Sequence, residues 1–139
     1  MNEDRKVGLD KSIGFRPAAE FSSTRVGREG EALAAAYLKK KGYRILKKNY
    51  HCPLGEIDII AMDSGTVCFI EVKTRSTSRY GRPEIAVHRS KQHRLSKLAL
   101  WFLKENRLLK ASARFDVVAI TRRGDLNEIE HFVNAFDMR

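Results

Sequence analysis

The sequence predicts an α/β domain in which a central mixed β-sheet is flanked by helices. Three observations predict it. Residues 55–75, GEIDIIAMDSGTVCFIEVKTR, read as two strands joined by a tight turn. A stretch on either side of this hairpin carries apolar residues at helical spacing. The order of elements is helix, three strands, helix, two strands, which gives one sheet and the helices to cover it.

Residues 1–23 are polar, with Gly8, Gly14 and Pro17 and no periodicity, and are expected to form a flexible tail ahead of a domain spanning 24–139. Thr24 is the expected N-cap of a first helix over about 25–41. Val26, Gly30, Leu33, Ala34, Tyr37 and Leu38 form its apolar stripe, and Gly42 ends it. Glu29 and Glu31 flank the stripe at about 100° to either side of its centre. Either reaches over the sheet edge, and spacing does not choose between them. Each also suits a helix N-terminus as a solvated acid.

Residues 43–50 read as the first strand, with Tyr43 and Ile45 alternating against Arg44 and Leu46, and 51–54 as a loop broken by Pro53. The hairpin strands are 56–62 and 67–73. Residues 74–81 are small, polar and basic, a loop suited to clamping a substrate beside an acidic site. A connector with Pro83 covers 82–87. The second helix spans about 88–106, with Leu95, Leu98, Ala99, Phe102 and Leu103 toward the core. Leu100 and Trp101 lie off that stripe, an apolar surface for the last strands or for a second subunit. Gln92 falls on the core side, where it either reaches the site or bonds backbone. Lys91, Arg94 and Lys97 are expected to face outward, as phosphate contacts or solvated charge. Residues 114–121 form a fourth strand, 122–125 a turn and 126–135 a fifth strand, in which Ile129, His131 and Val133 alternate against Glu128, Glu130 and Phe132.

The hairpin carries the chemistry. A two-residue loop at Ser64–Gly65 pairs Asp63 with Thr66 and, counting back, Asp58 with Glu71 and Glu56 with Lys73. Alternation then puts Glu56, Asp58, Glu71 and Lys73 on one face, and Ile57, Ile59, Ile70 and Val72 on the other. Directly opposed Cβ atoms lie roughly 5 Å apart, where like charges repel. Two carboxylates so placed either share a proton or bind a metal, and Mg²⁺ takes one or two carboxylates with waters and substrate phosphate. Lys73 would then hold a water or a phosphate oxygen. The plainer alternative is a set of cross-strand ion pairs, Glu56–Lys73 among them.

Composition narrows the partner. The net charge is +10, and 42% of residues are apolar, enough for a core. Eight Lys or Arg (Lys73, Arg75, Arg79, Arg82, Arg89, Lys91, Arg94, Lys97) against one acid, Glu84, follow the hairpin between 73 and 97. Such a basic stretch fits a polyanion, nucleic acid first. Cys52 and Cys68 lack zinc-site spacing, and Cys68 is expected to be a buried thiol. Two lone cysteines, no apolar run of membrane-span length and no signal peptide in 1–23 fit a cytoplasmic protein without membrane partners.

Asp58 followed by Glu71-Val72-Lys73 is similar to the D…(D/E)xK signature of restriction-endonuclease-like nucleases. The runs Gly27-Arg28-Glu29-Gly30-Glu31, Gly55-Glu56-Ile57-Asp58, Phe69-Ile70-Glu71-Val72-Lys73-Thr74-Arg75, Lys91-Gln92 with Arg94-Leu95, and Arg114-Phe115-Asp116-Val117-Val118 resemble the YraN-type family of bacterial proteins, relatives of archaeal Holliday-junction resolvases. The resemblance covers about 24–121. It implies a restriction-endonuclease-like fold with a Mg²⁺ or Mn²⁺ site. Asp58 and Glu71 would hold the metal, aided by the Val72 carbonyl. Lys73 would position water or stabilise the transition state. Glu31 would be the helix carboxylate, and Gln92 matches a helix position near such sites. Ile57 stands where the wider signature has Pro. The implied function is a metal-dependent DNA endonuclease acting on branched DNA; the charge distribution makes Arg75, Arg79, Arg82, Arg89, Lys91, Arg94 and Lys97 its expected backbone contacts. Resolvases act as dimers, so a homodimer is implied too. The alternative is a non-catalytic nucleic-acid-binding module within a DNA-processing assembly.

Overall fold

The computed structural model describes residues 18–75 and 87–138, with side chains from residue 27 onward. Helix α1 (Ala18–Lys40) leads into β1 (Arg44–Cys52), β2 (Gly55–Asp63) and β3 (Thr66–Arg75); α2 (Arg89–Glu105) then precedes β4 (Ser112–Arg123) and β5 (Leu126–Phe136). The five strands lie in sequence order in one sheet. All neighbours are antiparallel except β3 and β4, which run parallel because α2 is the crossover between them. This is the α/β architecture, a mixed sheet flanked by helices, that both the element order and the nuclease resemblance implied.

Each face of the sheet carries one helix. Ala34 and Leu38 of α1 pack on Ile59, Ala61, Cys68, Ile70, Val118 and Ile120. On the other face, Leu95, Leu98, Ala99, Phe102 and Leu103 of α2 pack on Ile60, Val67, Phe69 and Phe115. The predicted stripe of α2 is thus its buried face, and Cys68 is a buried free thiol. Leu100 and Trp101 are exposed. A Cβ at Gly30 would collide with Thr74 Oγ1, so glycine lets α1 lie close against the end of β3.

Boundaries differ from the sequence reading at several points. Helix α1 starts at Ala18, seven residues before the predicted start, so Thr24 is inside the helix and is not its N-cap. Ala18, Ala19 and Glu20 are strong helix formers, and the following serines cost only tenths of a kcal/mol each. His51 and Cys52 continue β1, which leaves a two-residue turn at Pro53 and Leu54. Thr74 and Arg75 continue β3 on its parallel ladder with β4, opposite Ile120 and Thr121. The remainder of the expected clamp loop, with Arg79 and Arg82, lies outside the described residues. Val133, expected beside Ile129 and His131, is 51% exposed. The β4–β5 register slips between the Phe115–Phe136 and Val117–Phe132 pairs, and the slip breaks the alternation.

The β2–β3 register has consequences for function. Ser64 and Gly65 both have positive φ (49° and 90°), as a two-residue hairpin turn of primed type needs, and Asp63 pairs with Thr66 as predicted. The pairing runs on to Ile59–Ile70 and stops there. Below that point the strands part. Strand β2 stays with β1, where Glu56 faces His51, and β3 stays with β4. The expected Asp58–Glu71 and Glu56–Lys73 pairs therefore fall in a fork, not in a ladder. The fork also turns Ile57: it packs on the α2 face, opposite to Ile59, with which it was expected to share a face.

A second feature lies buried at the start of β4. Asp116, fully buried, accepts from Arg114 Nε (3.0 Å), from His131 Nε2 (2.8 Å) and from the backbone N–H of Asn134 (2.9 Å). Arg114 also donates to Tyr43 Oη at 2.8 Å and to Asp63 at 3.2 Å. The Asp116 carboxylate only accepts. Lys41, 3.3 Å from His131 Nδ1, only donates. His131 therefore bridges them as the Nε2–H tautomer.

Candidate functional site

The fork in the sheet assembles the site from five elements. Because the β2–β3 ladder has ended, the Val72 N–H has no strand partner on that side, and the Asp58 carboxylate accepts it at 2.8 Å. From α1, Glu31 reaches over the end of the sheet and hydrogen-bonds the Asp58 and Asn49 side chains. Its Oε1 is buried with no hydrogen-bond partner among the described residues. Glu71 points toward α2, where Lys91 Nζ lies 2.6 Å from its Oε2. Lys73, two residues along β3, shares the Glu71 face by alternation. A cleft of about 340 Å³ opens here, lined by Leu54, Gly55, Glu56, Asp58, Glu71, Lys91, Arg94 and Leu95.

Charge in the fork is finely set. Burial first, then the Glu71 charge, push the Asp58 carboxyl up to about 7, against the relief given by the Val72 N–H. Burial likewise raises Glu31, although the Asp58 and Asn49 hydrogen bonds lower it. The Glu31 charge adds to the same upward push on Asp58. Asp58 thus sits between Glu31 and Glu71, although strand register does not pair it with Glu71.

This donor set fits a hard divalent cation. It offers buried carboxylate oxygens, one of them, Glu31 Oε1, without another partner, and such ions take oxygen ligands with waters completing the shell. No three His, Cys, Asp or Glu side chains among the described residues close into a finished cage, and Glu71 is paired with Lys91 on the α2 side.

The shift gives a stability prediction. The folded pKa of Asp58 lies above its ordinary value, so the Asp58 contribution to metal-free stability is most favourable below about pH 4 and is lost as pH rises through 7. Asparagine accepts from the Val72 N–H and donates to Glu31 without that penalty. Asp58→Asn should therefore exceed the wild type in metal-free stability by a few kcal/mol at pH 8, the gap closing near pH 4. Urea midpoints at the two pH values check it; a pH-independent gap would remove Asp58 as its source.

The other sequence candidates separate clearly. Glu29 is exposed and pairs with Arg122 at 3.3 Å, away from the fork where Glu31 sits. Gln92 donates to the Val87 carbonyl at 2.7 Å, the backbone alternative of its two readings. Lys91 corrects the outward expectation, and its signal was available: it lies four residues before the buried Leu95, on the same helix face. Arg94 is exposed yet lines the cleft, while Lys97 and Arg89 are exposed on α2, and Arg75 is exposed at the end of β3. Asn49 was missed. It interrupts β1 with a φ of 53°, a conformation asparagine tolerates. A polar, weak strand former inside an otherwise plausible strand was its only signal.

Fold and site together define an α/β protein with an acidic fork beside a basic helix. The chain belongs to the uncharacterised protein family UPF0102, whose family model matches residues 30–120. It is 49% identical over 113 residues to a UPF0102 protein of Geobacter metallireducens, covering 81% of this chain and 93% of the relative. A UPF0102 protein of Trichlorobacter lovleyi is 50% identical over 115 residues, with 81% and 91% covered. One from Syntrophus aciditrophicus is 49% identical over 114 residues, with 82% and 90% covered. The family resemblance read from the motifs is borne out by these matches. Two solved structures are similar at low identity. SSO0001 is 22% identical with a TM-score of 0.38 over 84% of this chain and 54% of its own. Pyrococcus furiosus SfsA, solved in complex with Ca²⁺, is 18% identical with a TM-score of 0.39, over 79% of this chain and 63% of its own. No helix among the described residues is long and apolar enough to cross a membrane.

Proposed function

We propose that this protein is a metal-dependent DNA endonuclease. The observation that carries the reading is the convergence of Glu31, Asp58 and Glu71 at the fork, with a buried Glu31 oxygen lacking a partner and Asp58 pushed up to about 7. Buried carboxylates crowded together cost stability unless a cation joins them. Perturbed groups in a cleft mark functional sites more often than structural ones. Asp58 and Glu71, with the Val72 carbonyl and Glu31, would hold Mg²⁺ or Mn²⁺, which when bound supplies Lewis acidity to a water and to the scissile phosphate. The chain's own groups do the rest. The Lys73 ammonium donates to a phosphate oxygen as negative charge develops there. Arg94 from the cleft wall, and Arg75, Arg89 and Lys97 around it, hold the DNA backbone by charge. Preference for branched DNA, and action as a homodimer, rest on the resolvase resemblance.

The test uses labelled duplex and four-way-junction DNA with MgCl2, MnCl2 or EDTA. Cleavage with either metal and none in EDTA is the expected result, together with a rise in melting temperature on adding Mn²⁺ that Asp58→Asn largely loses. Binding without cleavage under both metals would favour the non-catalytic nucleic-acid-binding module, which the basic residues alone support. A flat dependence of affinity on salt would remove the nucleic-acid reading altogether.

A further inference from the structure

Lys91 is where the acidic fork and the basic helix meet. It sits in the first turn of α2, and Leu95, one turn on, is anchored in the core, so the lysine stem has a fixed base. Its ammonium is 2.6 Å from Glu71 Oε2, with side chains 39% and 15% exposed. The pair therefore faces the cleft, beside Arg94 and Asp58. A divalent cation on that Glu71 oxygen would stand within a few ångströms of the ammonium, and the two positive charges would repel. One of them has to leave. A lysine is built for leaving: its ammonium is a compact charge with three donors on a flexible stem, where an arginine fork would lock onto the carboxylate.

We infer that Lys91 is a charge-exchange residue, which neutralises Glu71 in the free protein and passes to a backbone phosphate of DNA when a divalent cation takes Glu71. This rests on the metal-binding reading above. It makes cation and DNA bind cooperatively, since each favours the lysine position that the other needs, and the coupling is reciprocal. The protein would then hold its metal weakly in the absence of DNA and firmly on it.

Two measurements test this without any cleavage. In the first, MnCl2 is titrated calorimetrically into the full chain. Lys91→Gln removes the competitor and should bind Mn²⁺ about tenfold more tightly than the wild type, although its metal-free form melts lower. A lysine with only a structural role would lower stability and leave Mn²⁺ affinity unchanged. In the second, labelled duplex DNA is bound in EDTA. Glu71→Gln releases Lys91 and should bind severalfold more tightly, with a salt slope steeper by about one phosphate contact. The gain should vanish in Glu71→Gln/Lys91→Gln. Equal or weaker Mn²⁺ binding by Lys91→Gln, or a Glu71→Gln gain that survives in the double variant, overturns the exchange while leaving the metal reading standing. If neither wild type nor Lys91→Gln binds Mn²⁺, the metal reading falls and the exchange falls with it.

Discussion

Lys73→Ala is expected to lose a factor on the order of 10²–10³ in single-turnover cleavage while binding DNA almost as well as the wild type. The parallel ladder fixes its backbone opposite Ala119, and alternation puts its side chain on the Glu71 face. A preorganised ammonium there meets charge that arises only during attack, so its loss falls on the rate and not on affinity. In binding it is one phosphate contact among several. Lys97→Ala supplies the contrast. Lys97 is exposed on α2 outside the cleft lining, so its loss should weaken binding, reduce the salt slope by about 0.9 and leave the rate at saturation intact. Filter binding and rapid-quench cleavage on one junction substrate measure both quantities. Wild-type cutting by Lys73→Ala would reduce Lys73 to an ion-pair partner and end the proposed mechanism.

The hairpin shows how far local pattern reaches. Ser-Gly between alternating apolar runs set the turn, and the turn set the register from Asp63–Thr66 to Ile59–Ile70. The α2 stripe was equally legible, because five apolar residues at 3.6 spacing have one way to face a sheet. Local pattern fails where two strands choose different neighbours. Nothing in residues 56–58 or 71–73 says that β2 will follow β1 while β3 follows β4, yet that divergence creates the fork. It also decides that Asp58 accepts the Val72 N–H instead of sitting in a ladder opposite Glu71.

Contacts between residues distant in sequence were the other blind spot. Asn49 meets Glu31, and Lys91 meets Glu71, only once both helices are docked. The resemblance favoured Glu31 over Glu29 from motif alone. The structure gives a physical reason for their different surroundings: Arg122 holds Glu29 outside while Glu31 bends into the fork. Thus the element order and both core faces were readable from periodicity, and the individual acids of the site from motif. The bonds between them depended on where the sheet divides.

The largest loss of stability should come from a residue that periodicity ignored. Asp116 reads as one polar position in an apolar strand, RFDVVAIT, and it is fully buried. Burial works against its charge, yet the hydrogen bonds from His131, Arg114 and the Asn134 N–H outweigh burial and hold its carboxyl below the usual range. His131 and Asn134 tie β4 to the slipped end of β5, and Arg114, within β4, links Asp116 to Tyr43 and Asp63 on the other side. Asp116→Ala removes the acceptor for all three and leaves the Arg114 guanidinium, 17% exposed, with less counter-charge. Breaking such a pair from one side costs about 3–5 kcal/mol, a large share of the roughly 5–15 kcal/mol that holds a domain together. Asp116→Asn keeps the shape and part of the bonding and should lose about half as much. The sign of the pH dependence follows from the lowered carboxyl. Its contribution is complete above the ordinary aspartate pKa and is lost as pH falls through the lower folded value, so the gap between wild type and Asp116→Asn should shrink on acidification. Urea titrations of the three proteins at pH 7 and pH 3.5 measure the effect. A loss under about 1 kcal/mol for Asp116→Ala at pH 7 would mean that the buried network specifies the β5 register without stabilising the fold.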